Sequence, residues 1–426
     1  MTSFSPPGEE HTEFMQWSIA QGVEINGVAP ARFPGRGLGM VATRDIQANE
    51  VMVSVPISVM LSVDGIPPSF TNLFVDGIPI HGLLAAFLTH GKPEILKKYS
   101  LWKATWPTRQ DFEESMPILW PEKLRESNSA HAIIPQAVDS SSITLPPSAS
   151  GLWNTFRKRP LVQEYATKHQ NQLAQQEKRL QAAWKGVTAV FPDTDWDAFL
   201  YYWLIVNTRS FYYVKPGEEP PEDANEAMVL VPFADYFNHK DDAQCHVEFD
   251  GQNYIFQATK SYEKGEEIYM SYGTHPNDLL LIEYGFCLQE NESDTVYLDD
   301  IIFKDLTTAE KEELIFQQYY GNYQITTESG PCFRTEVAAS MKCMSRRDWR
   351  NYIQGRGAVT PNSEKVNSII RYWLEAYLKE ANVTIDNLET MLKAETVDST
   401  ASKIKVLIDR WNQIKHLCNE TVSKLD

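Results

Sequence analysis

Short β-branched runs occur in two clusters, with a long helix-patterned stretch between them and a second one after them. Val23–Ala29, Gly39–Thr43 and Val51–Val55 are interrupted by Gly, Pro, Asn and Asp and read as short strands. Strands return after Pro220-Pro221: Ala227–Val231 is apolar throughout, Glu267–Tyr272 is another, and Cys245–Phe249 and Tyr254–Ala258 flank Asp250-Gly251 as a hairpin. Before the first cluster, Phe14 and Trp17 mark a short amphipathic helix closed by Gly22. Between the clusters, Leu83, Leu84, Phe87 and Leu88 make one apolar stripe ended by Gly91. Residues 136–151 are rich in Ser and Pro and read as a linker. A polar helix is predicted near Leu161–Trp184, and Trp196–Phe211 reads as a buried helix. Asp278–Tyr284 is a short helix, and helical patterns fill 308–320, 334–344, 346–354, 362–380 and 398–424. The texture changes from β-rich to α-rich near 295, so the expected class is α+β with a domain boundary there.

Composition narrows the function. Of 426 residues, 42% are hydrophobic and 12% aromatic, which excludes a disordered chain. The net charge of −18 repels nucleic acid and anionic membrane and draws in basic partners. Five scattered cysteines without a CxxC pair argue against a disulfide scaffold or a cysteine-rich zinc site, and for a reducing compartment. The N-terminal MTSFSPPGEEHTEF lacks the basic and apolar regions of a secretory signal. No run approaches the roughly 18–20 apolar residues of a membrane span. Arg157-Lys-Arg159 is too short for a targeting cluster and reads as a solvated helix start. The expected location is the cytoplasm, with the nucleus as a second site.

Three segments carry residue types suited to chemistry. Gly35-Arg-Gly-Leu-Gly39 lets backbone approach a ligand, but it is neither a dinucleotide fingerprint nor a P-loop, and a β-turn is its plain reading. Pro232-Phe-Ala-Asp-Tyr-Phe-Asn-His239 sets an amide beside an imidazole. No ligand spacing accompanies it, so no metal is expected. Gly265-Glu-Glu-Ile-Tyr-Met-Ser-Tyr-Gly273 and Glu283-Tyr-Gly-Phe286 bring Tyr269, Tyr272 and Tyr284, whose hydroxyls can offer a polar tip in apolar surroundings. Strand alternation sets Tyr269 and Tyr272 on opposite faces. Arg209, at the end of the apolar helix, needs a partner and is either structural or a ligand clamp. Cys287 reads as core, and no GxSxG or HExxH nucleophile or zinc motif occurs.

In this order, Arg36-Gly-Leu-Gly-Met-Val-Ala42 with Asp45-Ile46, Asn207-Thr-Arg-Ser-Phe211, Pro232–His239, Gly265–Tyr272 and Glu283–Phe286 resemble the SET-domain protein methyltransferases. The resemblance is to the subgroup of the plant Rubisco large-subunit methyltransferase and the fungal ribosomal-protein lysine methyltransferases. It implies a β-rich SET domain, threaded as a pseudoknot, over 1–84 and 206–295, a helical insert over 85–205, and an all-α substrate-binding domain over 296–426. It implies S-adenosylmethionine (SAM) as cofactor, contacted by Arg36, Gly37, Leu38, Arg209, Asn238, His239 and Tyr284. It makes Tyr272 the active-site tyrosine, and sets Phe211, Tyr213, Asp235, Tyr269 and Tyr284 on the substrate side. Tyr213 differs in residue type from relatives at that position.

The implied activity is methyl transfer to lysine in a basic protein. A ribosomal protein or translation factor fits, and a histone tail is equally basic. The chain is expected to act as a monomer. A sulfonium methyl is already activated, so the protein must position and desolvate the amine. An apolar channel beside a positive sulfonium disfavours the ammonium form. Tyr272 is expected to orient and polarise through weak C–H···O contacts, without acting as a formal base. Three alternatives remain. Actin-type histidine methyltransferases carry a polar residue where this chain has Phe211, whose apolar wall suits a lysine stem. A catalytically dead SET module would only bind peptide. A metal-dependent hydrolase on His239, Cys245 and His246 is a third reading.

Overall fold

The structure, a computed structural model, describes residues 4–75, 77–125, 144–150, 172–215, 217–356 and 359–425. The expected linker (apart from 144–150), the Arg157–Arg159 run and the start of the polar helix lie outside them. The chain forms two compact units, Met1–Phe112 with Glu177–Thr274 and Glu113–Gln176 with His275–Asp426. These units group the chain differently from the limits 84/85, 205/206 and 295/296 that the resemblance implies. Helices Ile80–His90 and Trp196–Arg209 belong to the strand-rich unit, where His81 stacks on Trp203 at 6.1 Å.

The first unit holds two four-stranded sheets. One has the order β1 (Glu24–Ile25), β4 (Val51–Pro56), β9 (Asn253–Ala258), β8 (Cys245–Phe249), all antiparallel. β9 shows why: Tyr254, Phe256 and Ala258 point into the core while alternate residues are half exposed. The Asp-Gly hairpin forms as expected, with the Asp250 carboxylate accepting the N–H groups of Gln252 (2.7 Å) and Asn253 (2.6 Å). The other sheet has the order β2 (Val28–Phe33), β3 (Gly37–Ala42), β10 (Glu267–Met270), β7 (Asn238–His239). β10 runs antiparallel to β3 and parallel to β7.

The glycine-rich loop is tighter than the sequence suggested. β2 and β3 pair up to Phe33↔Gly37, so only 34–36 turn, and Leu38 and Gly39 are strand residues. Gly35 (φ +75°) and Gly37 (φ +74°) supply the left-handed backbone that closes the turn. The apolar helix ends at Arg209, because Ser210–Tyr212 forms β5 and pairs with β6 (Met228–Leu230). Asp195 caps its start by accepting from the Ala198 N–H at 2.8 Å. Its interior is buried, but Trp196 is 40% exposed, a correction to the expectation that the whole segment is core. Trp196 packs edge-on to Trp184 at 4.8 Å instead.

The second unit is mainly helical. Asn277–Tyr284 stops at Gly285, which takes φ +83°. Asp299–Asp305, Thr308–Phe316, Phe333–Cys343 and Arg346–Ile353 follow, then two long helices, Ser363–Ala394 and Asp398–Lys424. The first long helix extends well past 380, because Ala381, Thr384, Ile385 and Leu388 continue its buried stripe. A small antiparallel sheet, β11 (Thr295–Tyr297), β12 (Gln324–Thr326) and β13 (Gly330–Pro331), adds strands to the region expected to be all-α. In this unit Arg410, fully buried, lies between two carboxylates, with Nε 2.6 Å from Asp278 Oδ1 and Nη1 2.6 Å from Asp294 Oδ2. Ser148 also donates to Asp278.

Candidate active site

The sheet β2-β3-β10-β7 joins the glycine turn to the Asn-His pair. Asn238 Nδ2 donates to the Leu38 carbonyl at 2.9 Å and to Glu267 Oε1 at 3.0 Å. The register of β7 against β10 sets Tyr269 beside Asn238 and Met270 beside His239. β10 then ends, so alternation does not decide where Tyr272 goes. Hydrogen bonds do: the Tyr272 N–H donates to His239 Nδ1 at 3.0 Å, and its hydroxyl donates to the Phe237 carbonyl at 2.7 Å. With Nδ1 accepting, the neutral His239 ring carries its proton on Nε2. The two rings stack at 5.0 Å. Leu38, Asn238, His239 and Tyr272 thus form one connected edge. Burial pushes the Tyr272 hydroxyl up to about 12, with Asp235 adding to the shift and Arg209 opposing it. It is therefore neutral at any physiological pH.

Arg209 and Asp235 meet beside this edge. Arg209 Nη1 donates to the Asp235 carbonyl at 2.8 Å and lies 3.3 Å from Asp235 Oδ2. Trp102, fully buried, donates to the same Oδ2 at 3.1 Å. Burial raises the Asp235 carboxyl above the usual range, while Arg209 and Trp102 pull it back. Among the described residues Asp235 Oδ1 and Arg209 Nε have no hydrogen-bond partner, so this pair retains an acceptor and a donor. The segment is held by a strained residue: Phe233 takes φ +70° and is fully buried, just ahead of the 3₁₀ turn Ala234–Tyr236.

On the expected substrate side, Phe211 lies in an aromatic wall, 5.6 Å from Tyr254 and 5.8 Å from Phe256, which stacks on Phe237 at 5.2 Å. Tyr213 is buried against Phe249 at 5.2 Å. Tyr269 spends its hydroxyl on Glu267 Oε2 at 2.6 Å. Arg36 is 2.7 Å from that same oxygen and lies over the rings of Phe33 and Tyr269. Gly37 shapes the turn, with open space where a Cβ would stand. Tyr284 belongs to the second unit, near His275 and Phe286. Cys287, there too, is half-buried, and burial pushes its thiol up to about 12. His246 pairs with Glu248, and no group of three or more metal-ligating side chains occurs among the described residues.

Two residues that the sequence reading did not single out complete the site. Glu267 is the buried member of Glu266-Glu267, but alternation sets it with Tyr269, opposite the apolar Ile268 and Met270, so the strand period could not have flagged it. Trp102 comes from the helical stretch, and nothing in its local pattern points at Asp235. Gly39 reports how tightly the edge is built: a Cβ there would stand 2.6 Å from Asn238 Nδ2 and 2.8 Å from Glu267 Oε1. Gly39→Ala is expected to cost about 1–3 kcal/mol by overpacking. A melting curve should fall by several degrees, and an unchanged one would mean that the edge can relax.

The profile of the SET domain matches residues 37–273, and that of the Ribosomal lysine N-methyltransferase 2 C-terminal domain matches 294–424. SET domain-containing protein 4 from Homo sapiens is 23% identical over 393 residues, spanning 90% of this chain and 84% of that protein. Ribosomal lysine N-methyltransferase set11 from Schizosaccharomyces pombe is 32% identical over 205 residues, 45% of this chain and 51% of that protein. The solved structure of Rubisco LSMT bound to AdoMet shares the fold, with a TM-score of 0.58, 17% identity, and coverage of 98% of this chain and 93% of that one. The family read from five short motifs is the one that the profile identifies over more than half of the sequence, and the chain belongs to the SET-domain family.

Proposed function

We propose that this chain is a SAM-dependent protein-lysine N-methyltransferase acting on a basic, non-histone protein such as a ribosomal protein or translation factor. One observation carries the reading: the hydroxyl of Tyr272 and the Asn238-His239 pair lie on a single hydrogen-bonded edge that reaches Leu38, just after the 34–36 turn. The residues fit the cofactor. The unpartnered Asp235 Oδ1 suits an ammonium, the Arg209 guanidinium suits a carboxylate, and the open turn at Gly37 gives backbone access. Arg36, Leu38, Asn238 and His239 would hold the remainder. SAM supplies a methyl group on a sulfonium, already activated towards a nucleophile.

The chain's own residues do the rest. Tyr272 keeps its proton and donates a hydrogen bond to the Phe237 carbonyl, and its oxygen is suited to accept from polarised C–H groups. It is therefore a positioning group and not the base. The Phe211–Tyr254–Phe256 wall lacks a polar tip at Phe211, which favours an aliphatic lysine stem over an imidazole. The acidic chain suits a basic partner, and two relatives are named ribosomal lysine methyltransferases. The cytoplasm, where such proteins are made, is the proposed location.

The test is a titration calorimetry run with SAM, followed by label transfer from methyl-labelled SAM to purified ribosomal proteins and amino-acid analysis of the product. Binding in the micromolar range and labelled methyl-lysine are expected. Labelled methyl-histidine would move the chain to the histidine branch, and no heat of binding would leave a peptide-binding module.

A further inference from the structure

We propose that Glu267 is the positioning residue of the cofactor edge, orienting the Asn238 amide and balancing the charge of Arg36. This rests on the reading that the edge binds SAM. The Glu267 side chain is 2% exposed, and its two oxygens take three donors from three separate segments. Oε2 accepts from Arg36 Nη2 at 2.7 Å and from the Tyr269 hydroxyl at 2.6 Å, while Oε1 accepts from Asn238 Nδ2 at 3.0 Å. A carboxylate this buried is held by such donors and dictates their orientation in turn.

Two consequences follow. Asn238 Nδ2 is committed to Glu267 and to the Leu38 carbonyl, so the amide presents Oδ1 elsewhere and can only accept from a ligand on that side. The Arg36 guanidinium pairs with Glu267 and lies over the Phe33 and Tyr269 rings, so the two opposite charges offset one another. That matters because SAM bears a sulfonium charge that its demethylated product, S-adenosylhomocysteine (SAH), lacks. An unbalanced Arg36 repels SAM and spares SAH; an unbalanced Glu267 does the reverse.

The experiment measures calorimetric Kd values for SAM and SAH with the full chain and its variants. Glu267→Gln, isosteric, is expected to lower the preference for SAM over SAH by roughly tenfold, the size of a unit charge interaction across about 10 Å of partly screened protein. Arg36→Met, on an exposed side chain, should shift the preference in the opposite direction. The double variant should return it to near wild type. The KM for SAM should follow these Kd values. Shifts of the same sign in both single variants, or equal losses of SAM and SAH alongside a fallen melting temperature, would overturn the proposal and leave Glu267 a packing residue. If Glu267→Gln melts early, the sign of the Arg36→Met shift decides alone. A wild-type chain that binds neither ligand would instead overturn the reading of the site.

Discussion

Tyr272→Phe is expected to lower methyl transfer by about 10²-fold or more while leaving the SAM Kd within about twofold of wild type. The ring keeps its stack on His239 at 5.0 Å, and the backbone N–H keeps its bond to His239 Nδ1. Only the hydroxyl and its bond to the Phe237 carbonyl disappear. Binding surfaces therefore persist, and the loss falls on the arrangement of the reacting groups. Label-transfer rates and calorimetry on the same preparation read the two quantities. Parallel losses in both would assign Tyr272 to packing.

The pH profile sharpens this. Burial holds the Tyr272 hydroxyl protonated up to about 12, so it does not titrate between pH 7 and 10. Wild-type activity should rise with pH as the substrate amine, ordinarily near 10.4, loses its proton. Tyr272→Phe should give a curve of the same shape and lower height. Loss of an inflection in the variant would make the hydroxyl a base after all.

The second large effect belongs to the helical unit. Arg410→Met should destabilise that unit by about 3–5 kcal/mol, because it strands Asp278 and Asp294 as buried carboxylates without their cation. Each carboxylate is also bonded elsewhere, Asp278 by Ser148 and Asp294 by the Asn277 N–H at 3.0 Å, so neither can turn away to water at low cost. A fall of about 10 °C in the melting temperature is expected. Arg410→Met/Asp278→Asn/Asp294→Asn should recover most of it, since neutral groups of similar size remove the unmatched charge. No recovery would mean that the arginine acts through shape and not charge.

How much of this was legible in the sequence depends on the range of the physics. The β8–β9 hairpin and the helix starts are local events set by Asp250-Gly251 and by caps such as Asp195, and they sit where the sequence placed them. The motif residues Asn238, His239 and Tyr272 lie together, through bonds to one another and to Leu38. Long-range partners were invisible. Trp102 reaches Asp235 across 133 positions, and Glu267 gathers Arg36 from another strand pair. The strands at 295, 324 and 330 are two or three residues long, too short for a period to show against helical surroundings. Alternation also failed at Tyr272, because β10 ends at Met270 and a side-chain acceptor takes over.

The pairing of β3 with β10 carries a temporal consequence. Leu38 and Asn238, joined by one hydrogen bond, are 200 positions apart, and β10 lies further on still. Closing so long a loop is entropically costly and is repaid only once the whole sheet forms. During synthesis the N-terminal strands must wait, edges unpaired, until residue 270 has left the exit tunnel. A nascent chain stalled before that point should be protease-sensitive and chaperone-bound, and one released shortly after it should snap into protection in a single step.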